Sequence, residues 1–402
     1  MRRFGPLVAV LAVFLAGAWP QARAADGFES PSLRASELLP PELMRGPHHQ
    51  VAEEVGSDGF QPVFQVSSEF GSFEARGIDA LQERVREIDA LAALRQGPAA
   101  PTPQAQPSAG AAPAAGSVPS GGSLRPGLPV GAWGAAPKAG NLTLGGPKGG
   151  EGFVDLDAMK RTVAHRLGID PHTQNAELQQ ELQQHVWAAW AGKSQSSLTQ
   201  ADAPEHSDSF QDPARSEELL RDYSAEDLRR LHNIELAVMG VDEMLREEFL
   251  ANPHYTSSHG VRLLDSLSAL EDTSDRQAFI AAASAASSPE EARDFGRLAE
   301  LLRQYGENTG SLERLVTVGG RVAATTGDGT LLVPVLGEHS AWTQSVASFA
   351  ESLALAAGED PEVTRTRLLF SGSLSERARQ EMESLGLSVA EEGLSGESDS
   401  AD

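Results

Sequence analysis

The stretch "RLVTVGGRVAATTGDGTLLVPV" at residues 314–335 decides how the fold is read. β-rich runs are separated by Gly319-Gly320 and then by Gly327-Asp328-Gly329. Paired glycines and Asp-Gly supply the positive φ that tight hairpins need, so the stretch reads as two successive hairpin turns. Working outward toward the C-terminus, a helix is expected from about Ser340 to Ala356. "TRLLFSG" (366–372) reads as a buried strand. "SLSERARQEMESLG" (373–386) reads as a helix capped by Ser373 or Ser375, and "LSVAEE" (387–392) as a further strand. The last pieces form a βαβ unit, so residues 311–392 are expected to make a small α/β domain. "GLSGESDSAD" (393–402) reads as an acidic disordered tail.

Toward the N-terminus the pattern turns helical. Five short helices are expected between residues 225 and 305. Ser224 with Asp227 resembles a capping box. Ser288-Pro289-Glu290-Glu291 is a fuller one, with Ser at the cap, Pro at the first helical position and Glu at the third. Residues 217–310 therefore read as a helical bundle. The polar run 194–216 reads as a loop. Residues 151–193 read as a helical hairpin: Leu156, Met159, Val163 and Leu167 form one stripe ended by Gly168. Asn175 then caps a second helix carrying Leu178, Leu182 and Val186, with Gly192 just past its end. Trp187 and Trp190 lie beside that second stripe, where packing is the expected role and ligand stacking the alternative.

Residues 97–150 hold no acid and are mostly Gly, Pro, Ala and Ser, which fits a disordered linker. A coil of that length spans roughly 40 Å. Before it, residues 25–96 read as a small unit. "PVFQVSSEFGSFEA" (62–75) gives a short hairpin, and Ile78, Leu81, Val85, Ile88 and Leu91 give one amphipathic helix. So short a unit makes a marginal core, and docking onto the rest of the chain or self-association is expected of it. The fold class that follows is predominantly α: a helical bundle with a small C-terminal α/β domain and a long disordered Pro/Ala/Gly linker.

Residues 1–24 have the form of a secretory signal peptide. Arg2 and Arg3 precede an apolar run from Leu7 to Trp19, and Ala22-Arg23-Ala24 supplies a small-x-small cleavage site. The run is about 13 residues, short of the ~20 a membrane-spanning helix needs. Arg2-Arg3-Phe4 resembles a twin-arginine signal without the polar residues that should precede it, so general secretion is expected. The chain has no cysteine, which excludes disulfides and thiolate metal sites. Its formal charge is −25, and the leader carries three arginines and no acid, so the mature chain is more acidic still. Such a charge disfavours phosphate backbones and anionic lipid; it reads first as a source of solubility, with a preference for cationic partners as the alternative. The expected location is periplasmic or extracellular.

Few residues carry chemistry. "NPHYTSSHG" (252–260) places His254 and His259 five apart, whereas two zinc ligands on one helical face want four. Pro253 stops one helix and Ser257 or Ser258 can cap the next, so the segment reads as an interhelical turn, with a metal pair at His254 and His259 as the alternative. Ser371, Gly372 and Ser373 lie at a strand-to-helix junction, where an α/β fold can hold an anion or other ligand. The bland reading there is a capped helix start. His48-His49 point oppositely in an extended segment. His165, His172, His185, His206, His232 and His339 are scattered singly. No nucleotide-binding, nucleophile-elbow or calcium-loop motif occurs, and no cofactor is expected.

Four runs in order, "FQVSSEFGSFEARGIDALQERVREIDALAAL", "AHRLGIDPHTQNAELQQELQQHVWAAWAG", "NIELAVMGVDEMLREEFLANPHYTS" and "VPVLGEHSAWT", resemble a family of exported proteobacterial proteins of unknown function. The resemblance spans most of the chain outside the linker and tail. It implies export and this order of domains, and carries no catalytic residue. The function expected is therefore a non-enzymatic binding or interaction protein with a protein partner in the cell envelope, without nucleic acid and without stable membrane insertion of the mature chain. The alternative is a hydrolase or metal-dependent enzyme between the bundle and the α/β domain, drawing on His254, His259, His339, Ser371 or Ser373.

Overall fold

The structure, a computed structural model, describes residues 27–29, 33–96, 156–191 and 213–391. The expected leader, linker and tail, His206, Gly192 and most of the expected 194–216 loop lie outside the described residues, as does the side chain of Trp190.

The predominantly helical expectation is overturned. Helix makes up 53% and strand 20% of a mixed fold with several sheets. The stretch that opened the reading forms strands β6 (Arg314–Val318), β7 (Arg321–Thr325) and β8 (Thr330–Val335). Gly319 and Gly320 turn the first hairpin with φ of 57° and 77°, and Gly329 closes the second turn at 81°. Strands β10 (Arg365–Phe370) and β12 (Leu387–Glu391) then add in parallel, giving the order β12-β10-β8-β7-β6.

This sheet is no appendage to a bundle, because both of its faces are covered. One face carries Leu315, Val322, Ala324, Leu332 and Leu369. These share a core with α7 (Ala225–Val238), α8 (Glu243–Ala251), α9 (Ser257–Ser268), α10 (Arg276–Ser284) and α11 (Pro289–Asn308). The other face carries Ala323, Leu331, Val333, Leu368 and Phe370, and packs on α12 (Gln344–Gly358) and α13 (Glu376–Ser384). All six residues of β8 are buried, as a strand covered on both sides requires. Pro334 is tolerated within it because β7 pairs only with Leu331 and Leu332, so no ladder donor is demanded from Pro334 on that side.

The N-terminal unit holds more strand than expected. Strands β1 (Leu33–Arg34), β2 (His49–Val51), β3 (Glu54–Ser57), β4 (Pro62–Ser68) and β5 (Gly71–Arg76) form a second sheet, antiparallel throughout. Two single-turn helices, α1 (Ala35–Leu38) and α2 (Pro41–Met44), link its first strands. The long α3 (Gly77–Gln96) crosses it, with Leu81, Val85 and Ile88 against Phe64 and Val66.

Farther along, Ala90, Leu91 and Leu94 of α3 enter the core of the helical hairpin α4 (Leu156–Arg166) and α5 (Ala176–Ala191). The marginal unit is thus completed by a neighbour. In the hairpin, Gly168 ends α4 at φ 65° and Asn175 Oδ1 accepts from Leu178 N at 3.2 Å. Trp187 departs from the packing expected of it, since 47% of its surface is exposed. Helix α6 (Pro213–Asp222) begins within what was expected to be loop.

Candidate functional site

Parallel strands release their loops at one edge, and there the loops after β8 and β10 meet. The loop after β8 holds Gly337, Glu338, the short strand β9 (His339–Ser340) and Trp342. The loop after β10 holds Ser371, Gly372, the short strand β11 (Ser373–Leu374) and Ser375. β9 and β11 pair in parallel, His339 opposite Ser373. Gly337 N donates to Ser371 Oγ at 3.1 Å, and Ser373 N donates to Glu338 O at 3.2 Å. Gly372 has a steric reason to be glycine: a Cβ there would stand 2.7 Å from the Glu338 Cα and carbonyl oxygen. Ser375, rather than Ser373, caps α13 by accepting from Ala378 N at 3.1 Å.

Ser371, Ser373 and His339 are therefore brought together. His339 Nδ1 lies 3.2 Å from Ser373 Oγ, and the same hydroxyl donates to Glu338 O at 3.3 Å. Glu338, next in the chain, turns its carboxylate away from His339. It accepts from Ile78 N at 2.7 and 2.8 Å and meets Arg297 at 3.4 Å. A carboxylate at the first turn of α3 completes donors that the helix start leaves unpaired. Burial pushes the Glu338 carboxyl above its ordinary range, against the pull of those donors.

The chain's own N-terminal residues close over this edge. Glu29 Oε2 accepts from Trp342 N at 2.5 Å and from Ser375 Oγ at 2.6 Å, while Glu29 N donates to Trp342 O at 2.8 Å. Ser340 Oγ donates to Phe60 O at 3.2 Å, and Ser345 Oγ to Asp58 O at 3.0 Å. The Phe60 ring meets Phe349 edge-on at 5.1 Å. The Glu29 carboxylate is thus seated at the start of α13, beside rather than on Ser371, Gly372 and Ser373, where an anion was expected. Glu29, Glu338 and Phe60 were not picked out from the sequence, and no local motif marks them, since each acts across more than 250 residues.

His254 and His259 sit elsewhere, at the start of α9. Thr256 caps that helix, accepting from His259 N at 3.1 Å, which corrects the expected Ser257 or Ser258. The segment is a fastening: Asn252 Nδ2 donates to Ser284 O and Ala286 O, Tyr255 Oη donates to Ala283 O, and Gln174 donates to Pro253 O at 2.9 Å. The His259 ring lies among Glu83, Arg293 and Asp170, and burial lowers its pKa. Burial pushes the Asp170 carboxyl the other way. No three metal-ligating side chains of His, Cys, Asp or Glu come together among the described residues.

The other histidines are dispersed. His48 pairs with Glu69 at 3.0 Å, and the buried His49 meets Leu43 O at 3.2 Å. His172 and His232 are both held near pKa 4 by burial. The His232 ring leaves room only for glycine at Gly260, whose Cβ would approach to 2.6 Å. Among the described residues no helix is long and apolar enough to cross a membrane. In comparisons with known proteins, no family model, no curated protein and no solved structure matches the chain.

Proposed function

We propose that the protein is an exported, non-enzymatic binding protein of the cell envelope, whose two sheets and intervening helices form one scaffold for a protein partner. The observation that carries this reading is the filling of the strand edge. Where an α/β fold ordinarily receives a ligand, Glu29, Phe60 and the start of α3 are seated instead. The polar groups of that edge are spent on joining the protein to itself, which leaves outer surfaces for recognition. The acidic balance favours a cationic partner over nucleic acid or anionic lipid. In-cell cross-linking followed by mass spectrometry should return a defined heteromeric complex containing the mature chain. Recovery of monomer alone, at native expression, would sink the reading.

A second reading, a hydrolase, draws on the His339–Ser373 contact. It requires a group to orient the imidazole and a site for the developing oxyanion. Labelling of Ser373 by a fluorophosphonate, lost in Ser373→Ala and in His339→Gln, would favour it over binding.

A further inference from the structure

β6 ends the sheet, and among the described residues its outer edge is paired only where Ser274 bridges it. Ser274 N donates to Glu313 O at 2.9 Å and Ser274 O accepts from Leu315 N at 3.0 Å, so a strand begins to add there in parallel. Asp275 then takes φ 58°, the left-handed region that Asp tolerates, and the chain leaves the edge to start α10. Antiparallel pairing with β7 turns the main-chain groups of Arg314, Val316 and Val318 inward, because the two-residue turn makes Val318 and Arg321 a hydrogen-bonded pair. The carbonyl of Leu315 and both main-chain groups of Thr317 consequently face outward. Thr317 is exposed, and neither Pro, charge nor bulge blunts the edge from Leu315 to Val318.

Beside that edge lies an open cavity of about 370 Å³, walled by Leu245, Ala278, Ala281, Asp275, Leu315 and Thr317. Its charged lining is one acid and one base, with two further acids close in sequence to lining residues. Asp275 lines the cavity, Glu248 follows Leu245 by one helical turn, and Glu313 stands exposed at the strand's start. Arg314, which also lines it, is paired with Glu362 at 3.2 Å.

We propose that the edge of β6 with its flanking cavity is a strand-addition site for an extended peptide alternating apolar and basic residues. The peptide continues the pairing that Ser274 starts, its apolar side chains entering between Leu245, Ala278 and Ala281 while its cations meet Asp275, Glu248 and Glu313. The inference rests on the binding reading and gives that reading a surface and a partner chemistry.

The mature chain is titrated with a blocked nonapeptide of alternating lysine and valine, with a glutamate-for-lysine peptide as control, and amide exchange is followed at Thr317. The expected result is saturable binding of the lysine peptide with slowed exchange at Thr317. Affinity should fall several-fold to about tenfold in Thr317→Pro, which removes the outward donor, and in Ala281→Lys, which adds a cation and bulk to the cavity wall. Absence of binding, equal binding by both variants, or equal binding of the glutamate peptide overturns the proposal. So does a dimer of the unliganded chain that Thr317→Pro dissolves, since a second copy would then own the edge. A failed peptide titration beside a heteromeric complex from cross-linking removes this site and leaves the binding reading standing.

Discussion

The two sheets solve burial in opposite ways. In the N-terminal sheet β4 alternates: Phe64 and Val66 are fully buried while Gln65 and Ser67 are exposed, because one face meets α3 and the other meets solvent. In the C-terminal sheet β8 does not alternate, because Leu331 faces α12 and α13 while Leu332 faces the α7–α11 array. The difference teaches that a strand's sequence records how many of its faces are covered, and that neighbouring residues can belong to separate cores.

Neighbouring alanine substitutions test this most severely. Leu331→Ala and Leu332→Ala should each cost about 2–5 kcal/mol in denaturant unfolding, since each leaves a cavity in its own core. In β4, Val66→Ala should cost about 1–3 kcal/mol and Gln65→Ala less than about 0.5. A cheap Leu332→Ala would break the comparison by showing that the helical face of the C-terminal sheet is not a true core.

Gly372→Ala comes next. Its Cβ would press on the Glu338 backbone, so about 1–3 kcal/mol is expected from overpacking, read as a fall in Tm.

Glu338→Gln sharpens the contrast, because Glu338 ties one sheet's loop to the other sheet's helix. Weaker hydrogen bonds to Ile78 N and Arg297 are offset by the desolvation cost that the amide does not carry, so a net change under about 1 kcal/mol is expected. Hydrogen exchange should quicken at the first turn of α3 while β8 and β10 keep their protection. Uniform loosening of both sheets would show that they unfold as one unit.

Opposite in sign is Asp294→Asn on α11. Burial raises the Asp294 carboxyl to about 6 from its ordinary 3.8, with Arg297 and Arg293 pulling it down. A carboxyl raised on folding contributes stability that is full below pH 3.8 and lost as pH rises through about 6. The asparagine variant should therefore be more stable than wild type at pH 7, by at most about 3 kcal/mol for a rise of about two pKa units, and the gap should close below pH 4. A gap that does not change with pH would assign the effect to packing instead.

Much of the local structure was legible. Ser224 and Ser288 cap α7 and α11 as their spacing implied, and Gly319-Gly320 turns a two-residue hairpin. Gly168 and Asn175 bracket the hairpin turn between α4 and α5. Each of these acts within four residues, where backbone geometry leaves few options. The candidate site was half legible. Ser371, Gly372 and Ser373 do stand at a strand-to-helix junction. His339 was named beside them, but Glu338 and Glu29 could not be read, because a carboxylate serving a partner some 260 residues or more away leaves no spacing signature. At α9 the cap fell on Thr256 one residue before the expected serines, a shift that side-chain propensity does not settle.

What the amino-acid order determined by itself is the set of pieces: where rods start and stop, which strands pair through tight turns, that no thiol chemistry is available, and that the surface is acidic. What only the tertiary structure decided is how the pieces share their apolar faces. An apolar stripe states that one side of a helix is buried without naming what buries it, so α7–α11 fit a bundle as well as the face of a sheet. The sheet won because β8 must be covered on both sides, and those helices supply the second cover.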